Sequence, residues 1–295
     1  MNSSSLAKPP FSWGKLLLAL LALPVMIAGQ LISQLAAQGL AALGLPGWLC
    51  NILGGVAYAA LVWGGLVLLC RKGLGLTPEG CRLWPCRLVP FWVFAAFLMP
   101  ALAAGGLLLL PGSWQAGGLS SSAQAAVISA IVCYFGLAAG FVEEAVFRGV
   151  LMTALERRWN RPVAVLAPSI AFALLHCLGA SLHPLSILQL LVAGTLVGVV
   201  FSLVTLETGS IWCSALMHGV WNIVIPGGLL AIGTEAAPDA LVNYVLEPTS
   251  FALTGGEFGV EASLAAILAY TVFLLAAAWR LYHKTHAKPQ AVQGA

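Results

Sequence analysis

Apolar runs alternate along this chain with short polar segments. Hydropathy and the Gly, Pro and charge breaks divide it into spans near 16–43, 50–70, 89–110, 123–150, 162–180, 185–206, 210–232 and 259–280. About 20 apolar residues in a helix cross a hydrocarbon core of roughly 30 Å. The pattern therefore predicts an all-α fold: a polytopic membrane helical bundle of about eight transmembrane helices, with 1–295 as a single membrane domain. The first apolar stretch begins after Lys15 and continues to Leu43 without a small-residue cleavage site, so it reads as an uncleaved span rather than a secretion signal.

Charge adds an orientation. Lys8 and Lys15, then Arg71, Lys72, Arg82 and Arg87, then Arg157, Arg158 and Arg161, then Arg280, Lys284 and Lys288 each follow an even number of spans. The segments 111–122 and 181–184 have no Lys or Arg, and 233–258 carries Glu235, Asp239, Glu247 and Glu257 with no basic residue. By the positive-inside rule both termini are predicted to be cytoplasmic. The short Glu207–Ser210 connection is the exception, since it lies on the basic side without a positive charge.

Composition agrees: 60% hydrophobic and 8% charged residues put the chain outside the range of soluble domains. A net charge of +3, spread over several connections, gives no basic patch or arm, which argues against a nucleic-acid partner. Cys133, Cys177 and Cys213 fall inside apolar runs and read as small packing residues. Cys81 and Cys86 share a basic loop but lack further ligands for zinc, and no disulfide is assigned. Gly136 with Gly140, and Gly194 with Gly198, have a spacing that lets helices approach closely, although such glycines are also common in bilayer helices.

Against this background the ionisable residues inside spans stand out, because each costs roughly 2.5–3.5 kcal/mol on insertion scales. The fourth span contains Gly140-Phe-Val-Glu-Glu-Ala-Val-Phe-Arg148, the fifth Phe172-Ala-Leu-Leu-His176 and the seventh His218-Gly-Val-Trp-Asn222. Glu144 and Arg148 are four apart, acid before base, and read as a structural ion pair. Glu143 points about 100° away and is left as the chemically available carboxylate. His218 and Asn222 share a face. Counted from the Arg157–Arg161 turn, Glu143 and His176 lie at similar depths of about 21 and 22 Å, and the seventh span brings His218 and Asn222 to a compatible level. These groups are equally able to form a polar network that only joins helices; their convergence favours a site.

Elimination narrows the chemistry. An aspartyl dyad needs two aspartates, and Asp239 is the sole one in the sequence. No His-Glu-x-x-His occurs. The Gly179-Ala-Ser181-Leu-His183 segment lacks a nucleophile elbow and a histidine on another span. What remains is a carboxylate acting as general base, with histidine and asparagine orienting water and holding an oxyanion.

The patterns Glu143-Glu144-x-x-x-Arg148, Phe172-x-x-x-His176 and His218-x-x-x-Asn222, in this order on separate spans and with the Gly209-Ser210-Ile211-Trp212 entry to the last, resemble the motifs of the CAAX-protease and bacteriocin-processing (Abi) family. The resemblance covers about residues 120–230, the expected catalytic core. It implies an intramembrane endopeptidase, best known for removing the C-terminal tripeptide of prenylated proteins. Glu143 and His176 would then activate water, and His218 and Asn222 would bind the oxyanion. Two histidines and a glutamate also suit zinc, but asparagine is an uncommon zinc ligand and a glutamate serving as base is unavailable as one, so no cofactor is expected. Two other readings are a non-catalytic scaffold or immunity protein that has kept the site, and a transporter with a proton relay; the complete residue set and the lack of inverted repeats weigh against them. The expected partners are membrane lipid and a peptide or membrane-anchored protein substrate. Short loops and the lack of organelle signals suggest a bacterial inner membrane, and resemblance to the family favours substrate entry from the cytoplasm or laterally from lipid.

Overall fold

A computed structural model describes residues 10–178, 183–248 and 250–286; Lys8, Gly179, Ser181 and Lys288 lie outside the described residues. Eight helical rods run through the described residues. They are α1 (Trp13–Ala42, with a turn at Leu21), α2 (Gly47–Leu74), α3 (Pro90–Leu108), α4 (Ser121–Arg158), α5 (Arg161–His176), α6 (Pro184–Thr208), α7 (Trp212–Val224) and α8 (Leu264–His286). All but α5 and α7 are long and apolar enough to cross a membrane, which makes this an integral membrane protein.

Local chemistry sets the helix ends. Asn160 caps α5 by accepting from the Val163 amide at 3.0 Å, and Pro162 follows in the first turn. Pro184 opens α6, and Gly209 closes it with a φ of 73°, a left-handed conformation that glycine adopts without steric cost.

Two expected spans are shorter than the sequence suggests. The one placed at 162–180 is a 16-residue helix ending at His176, and the one at 210–232 is a 13-residue helix ending at Val224. Helix α7 is sheathed by α3, α4 and α6, and Cys213–Ala215 and Met217–Trp221 are all buried. Protein therefore covers it where lipid would otherwise, and the irregular chain beyond Val224 lines a cavity, the setting in which non-helical backbone is tolerated at membrane depth. Conversely, α4 runs past the expected residue 150 to Arg158. It includes wide π-helical turns at Ala130–Ala139 and Ala145–Leu151 on either side of the α-helical turn Gly140–Glu144. Such wide turns are frequent at functional sites.

The connections also depart from a purely helical bundle. Strands β1 (Gly112–Ala116), β2 (Leu230–Gly233) and β3 (Val242–Leu246) form a small sheet of order β1-β3-β2, antiparallel between β1 and β3 and parallel between β2 and β3. The Asn243 side chain accepts from the Ala237 amide at 2.8 Å and donates to the Ala237 carbonyl at 3.2 Å, fixing the turn between β2 and β3. These strands are 4 or 5 residues long, too short for an alternation to be read from sequence.

The opposite end is held by cations. Arg82 pairs with Glu156, which also accepts from Arg161 at 2.9 Å. The Phe11 amide donates to the Arg157 carbonyl, and the Ile211 amide donates to the Arg82 carbonyl. The Glu207–Ser210 connection obtains its positive charge from α8: Arg280 lies 3.2 Å from the Glu207 carboxylate, and Lys284 donates to the Glu207 carbonyl. The Cys81 thiol meets Cys70, whereas Cys86 is exposed, so Cys81 and Cys86 form no common site.

Candidate active site

Small residues bring the site helices together. A Cβ placed on Gly140 would lie 2.7 Å from the Gly219 amide nitrogen, and one on Gly219 would lie 3.1 Å from the Gly136 carbonyl. Helices α4 and α7 thus meet backbone to backbone, which puts Glu143 within reach of His218. The second glycine pair does the same for α5 and α6, where Cβ atoms on Gly194 and Gly198 would meet Ala173 and Ser169 at 2.9 and 2.8 Å. All four glycines singled out by spacing are sites of close helix approach.

The two adjacent glutamates part company. Glu144 is fully buried and accepts from Arg148 at 2.7 Å. Arg148, also fully buried, donates to the Gly198 carbonyl of α6 at 3.1 Å and lies over the Phe172 and Phe201 rings. The same Glu144 oxygen lies 3.1 Å from His218 Nδ1. The expected ion pair is present, and it also fixes one nitrogen of a candidate catalytic histidine, whose ring is stacked on Phe201 at 5.1 Å.

Glu143 faces the other way. Its Oε2 is 3.7 Å from His218 Nε2, and its side chain retains 22% exposure to a cavity of about 710 Å³. His176 and Asn222 line the same cavity. His176 Nδ1 donates to the Phe172 carbonyl at 2.8 Å, which fixes the proton there and leaves Nε2 as the free ring nitrogen. Asn222 donates one amide proton to the Phe135 carbonyl of α4 at 3.0 Å, leaving its second N–H available. All four expected residues therefore share one cavity. Glu143 is within ion-pair distance of His218 but not of His176, which shares the cavity without touching it.

Residues 124–224, which hold every one of these groups, match a family model described as type II CAAX prenyl endopeptidase Rce1-like. The chain carries an Rce1-like domain. No curated protein and no solved structure matches the chain. The Rce1-like domain ends with α7, but the cavity does not. Pro226–Gly228, Ala231, Asp239 and the Phe258–Glu261 turn complete its wall, and Tyr270 adds an aromatic surface from α8.

Glu261 is the residue that sequence reasoning passed over. Its Oε1 accepts from Trp221 Nε1 at 3.1 Å, beside Asn222 in sequence, and the Tyr270 hydroxyl donates to its backbone carbonyl at 3.3 Å. Burial raises its carboxyl above the usual carboxylate range, against the opposing pull of His176. A signal did exist, because an acid at 261 falls inside the span expected at 259–280 and invites the same cost argument that singled out Glu143. The cavity wall thus presents Glu143, Asp239 and Glu261, and among the described residues it includes no Lys or Arg.

Proposed function

We propose that this protein is an intramembrane endopeptidase that hydrolyses a peptide bond of a membrane-associated or lipidated chain, with Glu143 activating the attacking water. One observation carries the reading: of two neighbouring glutamates, one is locked by Arg148 and the other projects beside His218 into a cavity that His176 and Asn222 also line. A carboxylate placed there takes a proton from water as the water oxygen bonds to the scissile carbonyl carbon. His176, with Nε2 unprotonated, accepts a hydrogen bond from the same water. Asn222 donates its second N–H to the oxygen that becomes negative, and His218 Nε2 donates as well when the ring carries both protons. Collapse of the tetrahedral species breaks the C–N bond, and the proton held by Glu143 passes to the departing amine.

The donor set does not favour zinc. Zinc would need the Nε2 atoms of His176 and His218 together with Glu143, and no three His, Cys, Asp or Glu side chains among the described residues stand close enough together to form such a set. In the proposed mechanism Glu143 is the base, and His176, His218 and Asn222 position the water and the oxyanion. We further assign both termini to the cytoplasm, supported by the gathering of its cations at one end of the bundle, and, on its short loops and lack of organelle signals, the protein to a bacterial inner membrane.

The test is Glu143→Gln, which keeps the shape and loses the base. Cleavage should fall by about 10²–10⁴-fold, the usual worth of a general base, at unchanged protein abundance. Comparison of protein termini in membranes carrying wild type or variant reads this directly, with uncleaved substrates accumulating in the variant. Retention of cleavage by the variant would refute the mechanism.

A further inference from the structure

The cavity and the cations lie at opposite ends of the bundle. Lys15, Arg71, Lys72, Arg82, Arg87, Arg157, Arg158, Arg161, Arg280 and Lys284 all sit at the end where α4 turns into α5 and α8 finishes; Arg148 is the remaining described cation and is buried within the bundle. From Glu143 the cavity extends the other way, along Phe135, Ile131 and Val127 of α4 towards Ser121, and past the last turn of α7. At that end its wall includes the exposed Asp239 and the irregular segment around it, on the side where the sheet lies and where the connections carry acids without a Lys or Arg.

The path from Glu143 towards the basic end is filled. Residues Glu144–Ala154 of α4 are buried without interruption, and the Glu144–Arg148 pair, caged by Phe172 and Phe201, stands directly beneath the site. Beyond it the Arg82–Glu156–Arg161 contacts and the Arg280 and Lys284 contacts to Glu207 hold that end together. Glu143 lies about 21 Å along the helix from the Arg157 end, near the middle of the 38-residue α4, and the cavity runs from there towards the Ser121 end.

Lys and Arg beside span ends are retained on the cytoplasmic side. We infer that the cavity opens to the extracytoplasmic face, so that the substrate is a membrane-held peptide presented from outside the cell rather than a cytoplasmic tail. This rests on the proteolytic reading for the word substrate, but the direction of opening stands on charge and packing alone. It departs from the cytoplasmic or lateral entry that family resemblance suggests: a chain lipidated in the cytoplasm meets the sealed end. The exposed Asp239, with no Lys or Arg in the lining, also suits neutral or basic flanking residues rather than a free terminal carboxylate.

Two thiols on opposite ends decide the matter. Cys86 is native, exposed and at the basic end; Asp239→Cys places a second thiol at the exposed cavity mouth. With Cys133 and Cys177 changed to Ala, a membrane-impermeant maleimide applied to spheroplasts should label Asp239→Cys fully and leave Cys86 unlabelled until the membrane is opened. Inverted vesicles should give the reverse. Labelling of Cys86 but not of position 239 in spheroplasts, or equal labelling of both from one side, overturns the inference. The chain with Cys133 and Cys177 changed to Ala and Asp239 kept supplies an independent reading through Cys86, which should react in inverted vesicles and not in spheroplasts. Repeating the experiment in the Glu143→Gln background reports sidedness whether or not the protein is a protease.

Discussion

The two faces of α4 at its midpoint carry the same side chain one position apart and treat it in opposite ways. On one face Glu144 has no exposure and shares a single oxygen between Arg148 and His218 Nδ1. On the other, Glu143 retains partial exposure and, among the described residues, its one ion-pair neighbour is His218 Nε2 at 3.7 Å. A rotation of about 100° per residue is enough to separate them. The locked face shows what allows a charge to remain in apolar surroundings: an opposite charge, a carbonyl from α6 and aromatic rings around the cation. The open face lacks such compensation, and it is the face turned towards the cavity. His218 joins them, with one nitrogen on each side, so the rigidity of the first is passed to the geometry of the second.

Breaking the locked face should have the largest effect on stability. Arg148→Met leaves Glu144 buried without its cation, and loss of one member of a buried pair costs about 3–5 kcal/mol. Thermal melting in detergent should show a large fall. Glu144→Gln combined with Arg148→Met should recover a substantial part, because it also removes the uncompensated charge, although His218 Nδ1 then faces a neutral partner. If the single variant melts like wild type, the pair is not holding this face.

A second substitution acts on the joint between the faces and α7. Gly140→Ala puts a methyl group 2.7 Å from the Gly219 amide nitrogen, with backbone on both sides and no flexible side chain to yield. Helices α4 and α7 must separate, at about 1–3 kcal/mol for overpacking. The Glu143–His218 distance widens with them, so cleavage should fall more steeply than abundance. Gly105→Ala, where nothing lies within 4 Å of the added carbon, is the matched control and should be silent.

How far such features were legible depended on their range. The rods, the Glu144–Arg148 pair and the glycine contacts follow from helical periodicity, a local property that sequence displays directly. The lengths of α5 and α7 did not, because hydropathy cannot tell a helix end from apolar chain that continues as cavity wall, as Ile225–Gly228 does. The sheet was hidden for a related reason: β3 pairs on one side with β1, more than a hundred residues earlier, Gly112 with Leu246, although its other neighbour β2 is close in sequence, Leu230 with Val242. Glu261 was present in the apolar pattern as a visible anomaly, but its meaning depends on Trp221, forty residues earlier. Helical spacing exposes partners three or four residues away; it is blind to those supplied by another element.

The mildest test probes the open side through Glu261. Glu261→Gln keeps an oxygen to accept from Trp221 and removes the charge, so the structure should persist and the effect should appear as a dependence on pH. Burial raises the Glu261 carboxyl above its ordinary 4.5, opposed mainly by His176 on α5, with His218 on α7 also lowering it and Glu143 on α4 adding to the rise. A group whose folded pKa is raised contributes stability below its unfolded pKa and loses that contribution as pH climbs through the folded value. Wild type and variant should therefore melt alike below about pH 4.5, where both side chains are neutral, and the variant should gain on wild type as pH rises above it. A difference that stays constant across this range, or a variant that falls behind as pH rises, would mean that Glu261 is held as a carboxylate by its histidine neighbours. The open face would then carry a compensated charge of its own.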